Sequence, residues 1–313
     1  MNSTLVIYHR SDLDGICSRE IAHKFLGNTA DYLGFEYGDD LPQLAAYQTV
    51  YLIDISLPPG VMALHASKLI WIDHHQSAIE AMKSVSINGY RIDGVAACRL
   101  AYQWFAREAI DNTKQGVNPL PVKEDYTSIP TKVVEPRAVE LLGRYDIWDK
   151  RLSEVDLFQL GMQAQSAPDW HLLLQPPDSA GSGAEHVLPH YLDTILQEGR
   201  AIQAYTEVTS AQIVIERGFD VTFEGLRFRA LNIARCNSMT FLAALKPEHD
   251  GCLGYFWDGK KWKFSLYGVP GKPDVDLSKI ASKYGGGGHK QACGGFFKQL
   301  PPEFGGVSGG AQA

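Results

Sequence analysis

Acidic and histidine residues gather at the ends of three short apolar runs of this sequence. They are His9, Asp12 and Asp14 after the first run, Asp54 at the end of the second, and Asp73, His74 and His75 after the third. Carboxylates brought close together repel one another, and bound divalent cations remove that repulsion. Carboxylates mixed with imidazoles suit Mn²⁺ or a related first-row metal better than Ca²⁺, whose ligands are oxygen atoms. The residue types therefore predict a metal centre with more ligands than a single ion needs.

The three apolar runs alternate with helical patterns. Residues 4–8, 50–54 and 68–72 are predicted as buried strands, and residues 16–26 and 95–110 as helices. Strands separated by helices are typical of a doubly wound, mostly parallel α/β sheet. Ligands of such sheets bind beyond the carboxyl ends of the strands, at a switch in strand order. The three clusters are therefore expected to converge. A pair of metal ions bound there through a shared carboxylate would activate a water molecule for attack on a phosphoryl group.

Each cluster by itself also has a structural explanation. Asp12 and Asp14 can cap a helix that begins near Gly15. Asp54 can begin a turn, and a histidine pair is common in cores and on surfaces. Three such clusters at the strand ends of one predicted sheet make the metal centre the better interpretation.

The pattern of the chain changes in its last third. Helices are predicted over 137–145, 155–167 and 191–206, after a surface excursion at 111–135. Short β-type runs follow at 213–216, 221–223, 228–233, 252–257 and 262–267, and then a helix at 276–283. We expect a catalytic domain of residues 1–207, a smaller C-terminal α+β domain of residues 208–302 and a disordered tail of residues 303–313.

Composition excludes several classes of protein. The chain has 313 residues, 45% of them hydrophobic, and a formal net charge of -7, which argues against a clamp for long duplex DNA. Its five cysteines are odd in number and lack C-x-x-C spacing, so neither a disulfide scaffold nor a zinc knot is expected. The mean hydropathy is -0.16, and the first residues lack the basic and apolar regions of a secretory signal. These features predict a cytoplasmic protein without a membrane span.

The Asp-His-His run at 73–75 resembles the signature of the DHH phosphoesterase superfamily. That group includes RecJ-like exonucleases, nano-RNases, cyclic-dinucleotide phosphodiesterases, exopolyphosphatases and family II pyrophosphatases. Residues 8–15, 52–56 and 143–148 resemble its first, second and fourth motifs, and residues 285–289 resemble the glycine-rich signature of the companion DHHA1 domain. The resemblance spans nearly the whole chain, and the combination in this order is specific.

The resemblance implies two metal ions, with Mn²⁺ as the expected cofactor, and a hydroxide held by them that attacks phosphorus in line with the leaving oxygen. Carried over by position, the ligands are His9, Asp12 and Asp54 for one ion and Asp14, Asp54, His74 and Asp146 for the other. Two residues separate His9 from Asp12, one fewer than in many members. Asp149 is the rival of Asp146, which we prefer because the family's Asp precedes a hydrophobic-Trp pair.

The resemblance also implies the groups that handle substrate. Asp73 orients a histidine ring, and His75 contacts the scissile phosphate and stabilises charge in the transition state. The glycine-rich loop faces the metals across the interdomain cleft and holds the other end of the substrate; its residues here are Gly286, Gly287, Gly288 and His289. Many nano-RNases carry Arg where this chain has Tyr267, and Arg235 or Lys290 is a candidate for the missing positive charge.

The expected activity is hydrolysis of phosphodiester bonds in short nucleotide substrates, either oligonucleotides or dinucleotides. A phosphoanhydride hydrolase acting on polyphosphate is the enzymatic alternative. A non-catalytic nucleotide sensor is the alternative of another class. The oligomeric state and the direction of cleavage are left open by the sequence.

Overall fold

The chain divides into two compact units, Met1–Ala201 and Ile202–Ala313. The structure, a computed structural model, describes residues 2–111, 133–176, 184–234 and 236–305, with the backbone alone described at 108–111 and 184–186. Most of the predicted excursion at 111–135 and of the predicted tail lies outside the described residues. The predicted domain boundary at 207/208 stays a prediction.

The first unit is built on a parallel sheet. Its elements are β1 (Thr4–His9), α1 (Leu13–Leu26), β2 (Ala30–Phe35), β3 (Thr49–Ile53), α2 (Pro59–His65), β4 (Leu69–Ile72), α3 (Gln76–Ala81), α4 (Ala97–Asp111), α5 (Arg137–Asp146), α6 (Glu154–Ala164) and α7 (Trp170–Leu173). The strands lie in the order β2-β1-β3-β4, and all three pairings are parallel. A long helix, α8 (Ala184–Arg217), continues from the first unit into the second.

Alternate residues of each strand are buried on opposite faces of this sheet. In β1, Leu5 and Ile7 belong to the core cluster that includes Met62 of α2. Val6 belongs instead to the cluster that includes Ile21 of α1 and the buried residues of α4. Because helices cover both faces, β1, β3 and β4 are apolar along their length, which is why the sequence revealed them. The predicted doubly wound, mostly parallel α/β sheet is confirmed.

Strand β2 is absent from the sequence-based expectations. It lies at the edge of the sheet and pairs with β1 alone. Its sequence, Ala-Asp-Tyr-Leu-Gly-Phe, contains Asp31 and Gly34, which are unfavourable in strands and interrupt the apolar run. An edge strand with one exposed side needs no continuous apolar sequence, so periodicity gives no signal for it.

The second unit is built on a mixed sheet. Its elements are β5 (Phe219–Phe223), β6 (Leu226–Asn232), α9 (Ser238–Phe241), β7 (Gly251–Trp257), β8 (Trp262–Tyr267), α10 (Ser278–Lys283), β9 (Gly287–His289) and β10 (Ala292–Phe297). The strand order is β5-β6-β7-β8-β10-β9, with β6 and β7 parallel and the other neighbours antiparallel. Aromatic rings of Phe223, Phe264 and Phe297 fill its core beneath α10. The expected α+β character is confirmed.

One predicted strand is wrong. Residues 213–216 belong to the last turns of α8. Val214 is fully buried, whereas Ile213 and Ile215 are exposed. Ser210, four residues before Val214, is the preceding buried residue, which is a helical spacing. The run Ile-Val-Ile-Glu is apolar enough for a strand, but the preceding helix continues through it and packs through Val214 alone.

Among the described residues, no helix combines the length and the apolar character that crossing a membrane requires. All five cysteines are free thiols, and four of them are buried. The predicted cytoplasmic location stays a prediction.

Candidate functional site

The candidate residues lie at the carboxyl ends of three neighbouring strands. His9 is the last residue of β1, Asp54 directly follows β3, and residues 73–75 directly follow β4. Along the chain, β1 leads to β2 on one side of it and then to β3 on its other side, so the strand order reverses between β1 and β3. Open α/β sheets bind ligands at such a reversal. His9 and Asp54 therefore stand on either side of the position that the fold offers to a ligand.

The first group of side chains consists of His9, Asp12 and Asp54. His9 Nδ1 lies 2.6 Å from Asp12 Oδ2 and 3.5 Å from Asp54 Oδ2. One ligand atom from each residue lies within 4.8 Å of the other two. One imidazole nitrogen with two carboxylate oxygens suits a first-row transition metal.

The second group consists of Asp14, His74 and Asp146. His74 Nε2 lies 3.7 Å from Asp14 Oδ2 and 3.2 Å from Asp146 Oδ2. It also lies 3.4 Å from Asp54 Oδ1, whereas the other oxygen of Asp54 faces His9. Asp54 thus directs one carboxylate oxygen toward each group. The structure brings together residues that the sequence separates by more than a hundred positions.

The backbone at Asp54 is in the left-handed region, with φ at 61°. Non-glycine residues adopt this region at a cost of about 1–3 kcal/mol, and they do so mostly where the surroundings impose it. The backbone N–H of Asp54 donates to the carbonyl oxygen of Ile72 at 3.0 Å, which ties the residue to β4. The strained turn directs the Asp54 side chain between the two groups.

The carboxylates of Asp14 and Asp146 each lie near other negatively charged carboxylates. Burial raises the pKa of Asp14 well above its usual value, and the neighbouring Asp54 and Asp146 carboxylates raise it further. Burial raises the pKa of Asp146 to about 6, and Asp54 adds to this rise against the opposing effect of His74. Ionising both carboxyl groups is therefore unfavourable without a compensating positive charge.

The pKa values of two imidazoles are also raised, by the carboxylates and against the effect of burial. Burial lowers the pKa of His9, but the bonds and charges of Asp12 and Asp54 outweigh it and raise the pKa to about 11. Burial likewise opposes the charge on His74, and Asp146 and Asp54 raise its pKa well above the usual value. The carboxylates therefore favour protonated imidazoles, whose positive charge offsets the negative charge of the carboxylates. In a metal centre, divalent cations supply that positive charge.

Two buried polar atoms support the same interpretation. His9 Nδ1 and Asp146 Oδ2 lie close to oppositely charged groups, at 2.6 Å from Asp12 Oδ2 and 3.2 Å from His74 Nε2, but neither contact has the angles of a good hydrogen bond. Buried polar atoms in native proteins are nearly always satisfied, and a missing ion is one explanation of an exception. The donor set of imidazole nitrogens and carboxylate oxygens fits a pair of divalent transition-metal ions.

Asp12 and Asp14 also cap helices. Asp12 Oδ1 accepts from Gly15 N at 2.9 Å at the start of α1, while its other oxygen faces His9. Asp14 instead caps α4, because its two oxygens accept from Ala97 N at 2.9 Å and Cys98 N at 2.8 Å. A carboxylate has lone pairs enough for a cap and an ion, so capping and ligation are compatible.

Asp73 lies behind the cluster and holds the ring of His75. Its Oδ1 is 2.8 Å from His75 Nδ1 and accepts from the backbone N–H of His74 at 2.7 Å. Its Oδ2 accepts from Trp71 Nε1 at 3.0 Å. Burial lowers the pKa of His75, but the Asp73 carboxylate outweighs this and raises the pKa to about 9. The catalytic roles of Asp73 and His75 stay predictions.

The two rival aspartates of the fourth motif have different partners. Asp146 faces His74 in the cluster. Asp149 receives hydrogen bonds from Arg144 and from Arg151 Nε, the latter at 2.7 Å, and these hold its pKa well below the usual range. An aspartate paired with two guanidinium groups already has its countercharge, so the geometry favours Asp146 as the ligand.

Glu36 is a site residue that the sequence did not indicate. Its Oε2 accepts from Ser11 Oγ and lies 3.4 Å from His9 Nε2. Glu36 directly follows β2, so its position obeys the same rule as His9 and Asp54. A prediction of residues 30–35 as a strand would have indicated Glu36. The residue after that strand lies at the same edge of the sheet as His9 and Asp54.

The residues predicted to bind substrate lie in the second unit or outside the described residues. Strand β9 begins at Gly287 and ends at His289, and it pairs with β10. Packing explains Gly286, because a Cβ there would lie 1.8 Å from the carbonyl oxygen of Gly294, whereas Gly287 has open space around it. Gly288 has φ at 125°, which favours glycine. Arg235 lies outside the described residues. The substrate-binding role of the loop stays a prediction.

Several solved structures are similar to this chain. A pGpG-specific phosphodiesterase, PggH from Vibrio cholerae, is 13% identical, with 95% of this chain and 94% of that chain covered and a TM-score of 0.44. The DHH domain of a member of the s1p family of ribosomal proteins is 14% identical, with coverages of 95% and 83% and a TM-score of 0.45. The exonuclease RecJ bound to manganese is 12% identical, with coverages of 94% and 86% and a TM-score of 0.42.

No family model and no curated protein matches the chain. The chain is similar to DHH-domain proteins, at TM-scores below 0.5. Likeness at this level leaves the assignment of an activity to the residues of the site.

Proposed function

We propose that this chain is a metal-dependent phosphoesterase of the DHH superfamily that hydrolyses phosphodiester bonds of short nucleotide substrates. The observation that carries the proposal is the placement of Asp54, whose two oxygens face two separate groups of ligands. A shared carboxylate between two such groups is typical of two-metal hydrolases. The order of the DHH-like motifs along the chain supports the same assignment.

Two sets of side chains would hold the ions. They are His9, Asp12 and Asp54 for one ion, and Asp14, Asp54, His74 and Asp146 for the other. When bound, two divalent ions supply Lewis acidity toward a phosphoryl group and an activated water molecule. Mn²⁺ is the proposed ion, because the ligand sets mix imidazole with carboxylate.

His75 is the proposed contact to the scissile phosphate. Its Nδ1 is held by Asp73 and lies 3.9 Å from Asp54 Oδ1. Nε2, the other ring nitrogen, is the atom proposed to face the substrate. A ring protonated at both nitrogens donates a charge-assisted hydrogen bond from Nε2 to a phosphate oxygen. That bond strengthens as negative charge develops in the transition state.

The test compares two substrates with Mn²⁺ present. The purified protein is incubated with a linear dinucleotide and, separately, with polyphosphate. Release of mononucleotide from the first and no orthophosphate from the second is the expected result. Hydrolysis of polyphosphate alone contradicts the proposal in favour of a phosphoanhydride hydrolase. Binding of the dinucleotide without turnover of either substrate contradicts it in favour of a sensor.

The matched control is the same assay with Asp54→Asn. Asparagine tolerates the left-handed backbone at this position and keeps the size of the side chain. It offers a single acceptor oxygen in place of a charged carboxylate. Turnover that survives in this variant contradicts the assignment of the activity to this cluster.

A further inference from the structure

An aromatic ring lies exposed beside the first ligand group. Tyr37 follows β2 and Glu36, and 56% of it is exposed. The centroid of its ring lies 6.3 Å from that of His9, with 53° between the two planes. Tyr37 belongs to none of the core clusters of the described residues. The ring therefore borders the proposed site without serving the core.

Tyr37 is anchored at its backbone and at its hydroxyl. The backbone N–H of Tyr37 donates to Glu36 Oε1 at 2.9 Å. The hydroxyl lies 3.4 Å from Ser56 Oγ and accepts from Ser56 N at 3.4 Å, two residues beyond Asp54. These contacts span the carboxyl ends of β2 and β3. A ring ordered before a ligand arrives loses little conformational entropy when it binds.

We propose that Tyr37 is a specificity-determining residue that stacks on a nucleobase next to the scissile phosphate. The proposal rests on the proposed function, because it places that phosphate at the two ligand groups. One sugar separates the base of a nucleotide from its phosphate, so a phosphate beside His9 brings its own base within reach of Tyr37. Stacking of a base on an aromatic side chain contributes about 1–3 kcal/mol and tolerates any base. Polyphosphate has no base and gains nothing from the ring.

The first experiment measures kcat and KM for Tyr37→Ala and Tyr37→Phe with Mn²⁺. One substrate is a dinucleotide, and the other is an abasic dinucleotide in which hydrogen replaces each base. We expect Tyr37→Ala to raise KM for the dinucleotide by about 5- to 150-fold with kcat little changed. For the abasic substrate, KM should not change. Tyr37→Phe keeps the ring and should rescue the KM for the dinucleotide.

The matched control is Tyr205→Ala. Tyr205 is an exposed tyrosine, 72% accessible, on α8. Its replacement should leave both substrates unaffected. An equal rise of KM for both substrates in Tyr37→Ala overturns the stacking role and leaves the phosphoesterase proposal intact. If the wild-type protein does not hydrolyse the dinucleotide, in contrast, the proposed function itself is contradicted.

The second experiment reads binding without turnover or metal. The probe is a 2-aminopurine dinucleotide joined by an uncharged methylphosphonate, which the acidic cluster does not repel. Stacking of the probe on Tyr37 should quench its fluorescence in the metal-free wild-type protein and in Tyr37→Phe, but not in Tyr37→Ala. Equal quenching in Tyr37→Ala, or none in the wild-type protein, overturns the inference.

Discussion

The two units of the chain each gather carboxylates and basic groups, with opposite results. In the second unit, Asp220 lies 2.9 Å from Arg229, 3.3 Å from Lys246 Nζ and 3.1 Å from His249 Nε2. In the first unit, Asp54 meets the imidazoles of His9 and His74, and Asp14 accepts from the backbone N–H of Ala97. In the second unit, arginine and lysine side chains neutralise the carboxylate. In the first unit, the carboxylates surround imidazoles.

This difference shows in the pKa values. Burial opposes the charge on Asp220, but hydrogen bonds from Arg229 and Lys246 hold its pKa well below the usual range. Burial and like charge instead raise the pKa of Asp146 to about 6. A carboxylate cluster with its own arginines and lysines stabilises a fold. A cluster that lacks them is a candidate functional site, and we propose that this one binds cations.

Asp54→Asn should have the largest effect. Because Asp54 faces both ligand groups, the variant should lose both Mn²⁺ ions and at least about 10³-fold in turnover. Isothermal titration with Mn²⁺ counts the bound ions, and the dinucleotide assay measures turnover. Asp220→Asn is the matched control and should bind two ions with unchanged turnover. Two ions retained in Asp54→Asn would refute the bridging role.

His75→Ala should separate metal binding from catalysis. The two proposed ligand sets do not include His75, whose ring is held by Asp73, so two ions should still bind. Turnover should fall by a factor of about 10² because a donor to the developing charge is lost. Titration with Mn²⁺ and the dinucleotide assay measure the two quantities. The matched control is His190→Ala, because His190 is an exposed histidine. Equal turnover in His75→Ala and His190→Ala would show that His75 does not have its assigned role.

Asp146→Asn and Asp149→Asn should shift the stability of the metal-free protein in opposite directions. The first removes a half-buried charge that lacks a fixed cation, and should raise the free energy of unfolding by about 1–3 kcal/mol at pH 7. The second breaks the contacts with Arg144 and Arg151, and should lower it by about 1 kcal/mol. Urea unfolding followed by circular dichroism measures both.

Adding Mn²⁺ should narrow the difference in stability between these variants. At a concentration of 100 times its Kd, one bound ion stabilises the folded state by about 2.7 kcal/mol. Wild-type protein and Asp149→Asn should gain this stability, whereas Asp146→Asn should gain less because a ligand is missing. An equal gain in all three proteins would show that Asp146 does not contribute to metal binding.

Asp220→Asn should have the smallest effect and a defined pH dependence. A carboxyl group with a depressed pKa stabilises the folded state fully above its unfolded pKa of about 3.9, and this stability is lost as the pH falls toward the folded value. The variant should therefore be less stable than the wild type by about 1 kcal/mol at pH 7, and the difference should shrink below about pH 4. Urea unfolding at pH 7, 4 and 3 checks this, and a difference that grows at low pH would contradict it.

The sequence revealed the parts of the site that follow buried strands. β1, β3 and β4 are apolar on both faces, so the residues after them stood out. β2 escaped because it is an edge strand with Asp31 and Gly34, and Glu36 and Tyr37 escaped with it. The helical turns at 213–216 were misread because one buried residue, Val214, sits among apolar neighbours that face solvent.

Residue type and local pattern were enough to establish the doubly wound sheet and to nominate His9, Asp54 and the 73–75 run, since burial on two faces and chain ends at one sheet edge are visible in periodicity. The different partners of Asp146 and Asp149, the helix that Asp14 caps and the ring beside His9 are visible only in the tertiary structure. Each depends on contacts between distant segments, and a carboxylate's role follows from which charges surround it in space.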